Sequence, residues 1–357
     1  MREPGDVRRR RILAVVLSRG AVRVSDLAAE LEVSVVTVRR DVEQLARAGR
    51  LQRRHGFARS IVPVEQPQAS SGAEGGAVGL IVPERHQYLF EVVHGARTTL
   101  EAAGLRIVLH IAPPVGGAER PIVERALAED VRGLLISPRW RSVAAEEADY
   151  AWLVDVPVPV VIVERRPRLG SVLHATDSVC SDHWYGVHLA IDHLVSLGHR
   201  RIILAARDDS PTARAIRAAF AEITAARPGI EDATVVLSSP SATAEPDTVD
   251  TLPPLASLVR DRRATAAILH GDTDALMLTQ HLSEGGIRVP RDFSVIAYDD
   301  TVAGLGTTPL TAIAPPKAEV GRVAAELLLQ RLDGQHGQPR RVQLLPELKI
   351  RESTQKL

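Results

Sequence analysis

The chain opens on short apolar stripes at helical spacing and then settles into a long alternation of apolar runs and amphipathic segments. Leu27, Ala28 and Leu31 mark a first short helix that Ser25 can cap, and Val38, Val42 and Leu45 mark a second. Glu32 and Val33 make the turn between them. Ser34 caps the second helix, and Gly49 ends it after about Ala48. A helix over 6–18 precedes the pair, and residues 21–24 predict a short strand. From Ala77 the texture changes. Val/Ile/Leu runs at 77–82, 106–111, 133–137 and 158–163 predict buried strands, with helices over 90–103, 122–129 and up to about Trp152. The alternation restarts at Val179, with strands at 201–205, 235–237, 266–269 and 294–298. Helices at 186–197, 212–227, 249–260 and 275–284 separate them. Two such sets predict two doubly wound α/β lobes with a cleft at the carboxyl ends of their strands. A last helix over 317–332 repeats Val320, Val323, Ala324, Leu327, Leu328 and Leu332 at helical spacing.

On the second short helix, Val36, Thr37, Arg40, Gln44 and Arg47 lie roughly opposite the apolar stripe. A helix that only packs a core rarely gathers two arginines, a threonine and a glutamine on one face. A recognition helix needs that layout: the stripe docks it, and its polar N-terminal half reaches base edges in the major groove. A small bundle with a solvated charged face is the alternative. Residues 51–58, LQRRHGFA, predict a two-stranded wing turning at Gly56, with its arginines along phosphates.

The run VSVVTVRRDVEQLARAGRLQRRHGFA resembles the winged helix-turn-helix of DeoR-type bacterial regulators, through Ser34, Thr37, Arg39, Arg40, Asp41, Arg54, His55 and Gly56. Phe57 stands where a second glycine is usual, which predicts a stiffer wing tip. The resemblance implies that Ser34, Val36, Thr37 and Arg40 read bases, while Arg39, Arg53, Arg54 and His55 position on phosphates.

Residues 61–76 gather Pro63, Pro67, Ser70, Ser71, Gly72, Gly75 and Gly76, the composition of a linker. Beyond it, the opening VGLIVPERHQYLFEVVHGARTTLEAAGLRIVL resembles LacI/GalR-type regulatory cores. So do Asp182-His183-x-x-Gly186, the run HLVSLGHRRI at 193–202, and GGIRVPRDFSVIAYDD at 285–300. Residues 309–312 (PLTA) and 348–354 (LKIREST) sit where that family's closing motifs belong. The resemblance implies a winged helix-turn-helix at 1–60, a linker at 61–76 and a periplasmic-binding-protein-like core at 77–357. Lobe one is expected to hold 77–181 and 301–330, and lobe two 182–300 and 331–357.

Net charge is zero, but it divides unevenly. Residues 1–60 carry fourteen arginines against seven acids, and the remainder carries thirty bases against thirty-seven acids. A basic head on an acidic body fits a nucleic-acid reader joined to something else. Cys180 is the only cysteine, which excludes an intramolecular disulfide and a cysteine-based metal site. No apolar run approaches a membrane span, and the six apolar residues at 12–17 lack a cleavage pattern, so a cytoplasmic protein is expected.

In the cleft, the resemblance points to Tyr88, Phe90, Arg165, Asp182, Asp272 and Asp299 as effector ligands. Core packing is the rival for Phe90, helix capping for Asp182, and a salt bridge to Asp177 or Asp182 for Arg165. The family's frequent clamp arginine falls at Ile216, leaving Arg214 as its substitute, and its frequent asparagine is Gly271. Both departures count against an ordinary hexose. His183, His188, His193 and His199 show no metal spacing, and no nucleophile-elbow, P-loop or dinucleotide fingerprint occurs. No metal, cofactor or enzymatic activity is therefore expected. The expected function is a homodimeric repressor, with operator DNA as one partner and a sugar or related metabolite as its effector. A periplasmic-type solute-binding protein and a sugar-phosphate enzyme are the alternatives.

Overall fold

Three sheets organise the chain in the computed structural model. It describes residues 21–31, 33–48, 50–54, 56–60, 76–83, 87–112, 117–140, 142–208, 210–238, 255–334 and 337–357, with Gly5, Arg8, Arg9, Ile12 and Val16. The expected linker at 61–76, apart from Gly76, and most of the expected helix over 6–18 lie outside these residues.

The head runs β1 (Ala21–Arg23), α1 (Val24–Glu30), α2 (Val35–Arg47), β2 (Leu51–Arg54) and β3 (Phe57–Ser60). β3 lies between β1 and β2 and is antiparallel to both, with Val22 and Arg53 each opposite Ala58. Gly56 turns the wing at φ 81°, a conformation open to glycine at little cost. Ser25 does not cap α1. The strand runs straight into the helix, Arg23 keeps extended backbone as the N-cap, and the Ser25 hydroxyl pairs instead with Asp26 at 3.0 Å. The Val24 N–H donates to the Gly56 carbonyl at 2.9 Å, so strand pairing fixes where this helix begins. Ile12, Val16, Leu27, Val38, Val42 and Leu51 are buried together beneath it.

The first lobe holds β4 (Ala77–Val82), α3 (Gln87–Ala102), β5 (Arg106–Ile111), α4 (Glu119–Ala128), β6 (Val131–Ile136), α5 (Val143–Tyr150), β7 (Val160–Val163) and β8 (Asp177–Ser181). The second holds α6 (His183–Ser196), β9 (Arg201–Ala206), α7 (Pro211–Ala226), β10 (Asp232–Leu237), α8 (Leu255–Asp261), β11 (Ala266–Leu269), α9 (Asp272–Glu284), β12 (Ser294–Tyr298) and β13 (Thr311–Ala314). Three further elements close the chain: α10 (Lys317–Leu332), β14 (Arg341–Leu344) and β15 (Glu347–Lys349). The first sheet is parallel, in the order β14-β8-β7-β6-β4-β5. The second, β10-β9-β11-β12-β13-β15, is parallel except for β15.

That pairing corrects the expected partition at its end. β13 pairs with β12, so 301–314 goes with the second sheet, whereas the sequence reading placed 301–330 in the first lobe. α10 packs on the first lobe as expected, but β14 then pairs with β8 in the first sheet. Only β15 returns to the second. The cause is backbone hydrogen bonding: each strand goes where its N–H and C=O groups find a ladder. Three crossovers result, at 181–183, 314–317 and 344–347, and the Asp182 N–H binds the Leu344 carbonyl between two of them at 2.8 Å.

α3 and α10 cross in near backbone contact. A β-carbon on Gly95 would stand 1.9 Å from the Ala318 carbonyl oxygen, and one on Gly321 would stand 1.9 Å from that of Val92. Glycine at both positions permits this approach, and Val92, Leu100, Val320 and Leu328 are buried together in the first lobe's core.

Candidate functional site

On the head, Ser34 caps α2 by accepting the Thr37 N–H at 3.2 Å, and the two hydroxyls lie 2.8 Å apart. Val36 is 74% exposed at the helix start, an apolar side chain standing in water. Arg39, Arg40 and Arg53 are exposed and form no ion pair among the described residues. Asp41 is buried instead, paired with Arg8 at 2.5 Å and Arg9 at 3.5 Å, so it anchors the helix and leaves its arginine neighbours outward. Gln44 accepts from Arg9 at 2.8 Å. Arg54 lies in β2, and nothing is described of its side chain or of His55. The Arg23 guanidinium sits 5.3 Å from the centre of the Phe57 ring, tying the wing tip to β1.

Between the lobes, polar side chains converge on the first crossover. Tyr88, at the start of α3, brings its hydroxyl within 3.2 Å of Ser181 Oγ, and Ser181 donates to Glu164 Oε1 at 2.8 Å. His183 lies on the second-lobe side, with Nδ1 3.1 Å from the Tyr298 hydroxyl and Nε2 3.9 Å from Glu164 Oε2. Burial drives the His183 pKa down to about 3, with His270 and Arg165 adding to the effect. The imidazole is therefore neutral, and its approach to Glu164 is not an ion pair. Burial raises the Glu164 carboxyl above its ordinary range and lifts the Tyr88 and Tyr298 phenols. Lys317, at the second crossover, is buried. Its ammonium donates to the Asp299 carbonyl and lies 5.4 Å from the centre of the Tyr88 ring. Asp299 is buried at φ 110°, a strained conformation for a residue with a β-carbon, and burial with Asp272 nearby pushes its carboxyl well up.

The expected effector residues divide. Tyr88, Asp299 and Arg165 meet at this centre, although Arg165 itself binds the Pro138 and Glu164 carbonyls, both at 2.7 Å. Its rival ion pairs are not made, because Asp177 pairs with Arg331 at 2.6 Å and Asp182 caps α6 through the Tyr185 N–H at 2.9 Å. Asp182 thus takes the capping role. One oxygen of Asp272 collects the N–H groups of Thr301, Val302 and Ala303, which fixes the loop after β12. Phe90 is half-buried and stands outside the core clusters that take Tyr88, Leu89 and Val92. Arg214 reaches from α7 to the Trp140 carbonyl of the first lobe at 2.9 Å. The sequence reading missed Glu164, Ser181, Tyr298 and Lys317. Lys317 carried a signal, as one of only three lysines in the chain. Among the described residues no group of three metal-ligating side chains occurs, and no helix is long and apolar enough to cross a membrane.

Known proteins resemble both halves. Residues 8–64 match the DeoR-like helix-turn-helix domain, and residues 191–354 match the periplasmic binding protein-like domain. The arabinose metabolism transcriptional repressor of Geobacillus stearothermophilus is 28% identical over 93% of this chain and 90% of its own length. The transcriptional regulator MalR of Streptomyces coelicolor is 28% identical over 93% and 96%. Among solved structures, a lac repressor dimer bound to operator and an anti-inducer superposes with a TM-score of 0.64 at 24% identity, covering 82% of this chain and 99% of that one. A LacI-family regulator from Enterococcus faecium with bound ribose gives 0.60 at 22% identity, over 79% and 99%. Both share the fold.

Proposed function

We propose, from the premise that this chain is a LacI/GalR-type regulatory core behind a DeoR-type winged helix-turn-helix, that it is a DNA-binding repressor whose operator affinity is set by a small molecule held between its lobes. The exposed start of α2 carries this reading. Val36, Arg39 and Arg40 stand free in solvent while Asp41 in the same turn is locked inward. Ser34, Val36, Thr37 and Arg40 face bases, and Arg39, Arg53, Arg54 and His55 face phosphates. Two chains pair through their cores and set two recognition helices about one DNA turn apart, or a multiple of it. The protein works in the cytoplasm, where the DNA is, and the reading includes no catalytic step.

Tyr88, Arg165 and Asp299 line the effector site together with Glu164, which the sequence reading had not singled out. A ligand there shifts the lobe angle only by its differential affinity for the two shapes. The three crossovers are where that angle changes; two carry residues of the polar centre, Ser181 and His183 at 181–183 and Lys317 at 314–317, and the third holds the Asp182 N–H through Leu344. The test is selection of genomic fragments by the full chain followed by footprinting. A protected two-fold site, weakened or strengthened by a metabolite, is expected. Equal affinity for every fragment would reject the reading.

A further inference from the structure

Two buried carboxyl groups between the lobes keep acceptor oxygens that no described donor fills. Glu164 Oε2 has none, although Glu164 is only 2% exposed and its other oxygen accepts from Ser181. The Asp299 side chain, 7% exposed, takes no hydrogen bond among the described residues; its carbonyl alone is engaged, by Lys317. The nearby cations are directed elsewhere. Lys317 serves that carbonyl and lies over the Tyr88 ring, with Glu91 at 3.7 Å on the rim. Arg165 donates to two backbone carbonyls. His183 is neutral. The described charges that act on the pair add two further carboxyls, Asp272 and Asp274, against Lys317 and Arg165.

A buried charge without a partner costs several kcal/mol, on the order known for such groups, unless it is neutralised or paired. A neutral polyol offers hydroxyl donors but no counter-charge for either carboxyl. A phosphorylated ligand brings negative charge to two acids. Resting on the reading of this space as the effector site, we infer that the effector carries a positively charged amino group that pairs with Glu164 Oε2 and the Asp299 carboxyl. The amine arrives with two or three donors, which suits two acceptors held on opposite lobes, and closing the lobes brings both onto it.

The experiment is calorimetry and thermal shift on the full chain with matched probes: glucosamine and galactosamine, their neutral parents, glucose 6-phosphate, and putrescine beside butane-1,4-diol. An amine probe should bind at least about tenfold tighter than its neutral counterpart, a gap of about 1.4 kcal/mol. Glu164→Gln and Asp299→Asn should each bring that ratio toward one. Success of the amino sugars alone, or of putrescine alone, identifies the carrier of the amine. The inference is overturned if a neutral or phosphorylated probe binds as tightly, if no amine binds, or if the preference survives in both variants. Far-ultraviolet circular dichroism confirms that at least one variant is folded. Operator binding is measured on the same preparations. Its failure with intact amine binding strikes the regulator reading, whereas intact operator binding without an amine response strikes only this inference.

Discussion

Arg214, on the second lobe, donates from Nη2 to the carbonyl oxygen of Trp140 on the first, 2.9 Å away. Burial lowers the Arg214 pKa, opposed by Glu146, and the side chain is half-buried. The Trp140 ring is itself fixed edge-on against Tyr150 at 5.8 Å, so the acceptor is held rigidly. A charge-assisted bond in this setting, discounted for partial exposure, contributes about 1 kcal/mol to the closed arrangement. Arg214→Ala should therefore raise the ratio of open to closed lobes roughly fivefold. Small-angle scattering, or a fluorophore pair with one label on each lobe, reads this directly. Identical curves for the variant and the parent would show that Arg214 does not hold the lobes together.

The head offers a paired test. Arg40→Ala should weaken specific binding by about 1–3 kcal/mol and blur the preference at one base position. Arg53→Ala should weaken binding to all duplexes alike and reduce the slope of log affinity against log salt by about one. Titrations at several salt concentrations with operator and scrambled DNA separate the two. The same loss on both duplexes for Arg40→Ala would make it a phosphate contact.

The crossing of α3 and α10 gives a stability prediction. A methyl group at Gly321 meets the Val92 carbonyl oxygen at 1.9 Å, and backbone on both sides prevents cheap relief. Gly321→Ala should destabilise the core by at least about 2 kcal/mol, the range of overpacked sites. Urea unfolding followed by tryptophan fluorescence measures it, because all three tryptophans lie in the core. A loss under about 0.5 kcal/mol would mean that the helices slide apart easily.

His183 makes stability depend on pH. In the native chain its pKa is down at about 3, whereas the unfolded chain takes up the proton near the ordinary value of about 6.5. Between those values the unfolded state binds more protons. The His183 contribution is therefore present above about 6.5 and is lost as pH falls, at up to roughly 1.4 kcal/mol per pH unit. The raised carboxyls of Glu164, Asp272 and Asp299 act in the opposite sense, so the term is isolated by difference. The melting temperature of His183→Gln relative to the parent should rise as pH drops from 7 to 5. A constant gap over that range would contradict the assignment.

Local patterns made much of this molecule legible. The stripe of Val38, Val42 and Leu45 is buried as its spacing required, Ser34 caps α2, and Lys317–Leu332 is a helix with the bounds its apolar repeat gave. These follow from periods and caps written within a few residues of one another, so the chain carries them before it folds. The start of α1 was not legible, because a strand partner more than thirty residues away decides where it begins. The path of the last sixty residues was hidden for the same reason. β13, β14 and β15 are short, and only the open edge each one meets tells which sheet it joins. The polar centre depends even more on distant contacts. Glu164 and His183 gain their meaning from Ser181, Tyr298 and the loss of water around them. Motif and periodicity thus determined the head, the two-lobed plan and most of the elements. Tertiary structure alone decided which carboxyls were left unpaired, because pairing and desolvation are properties of residues brought together from far along the chain.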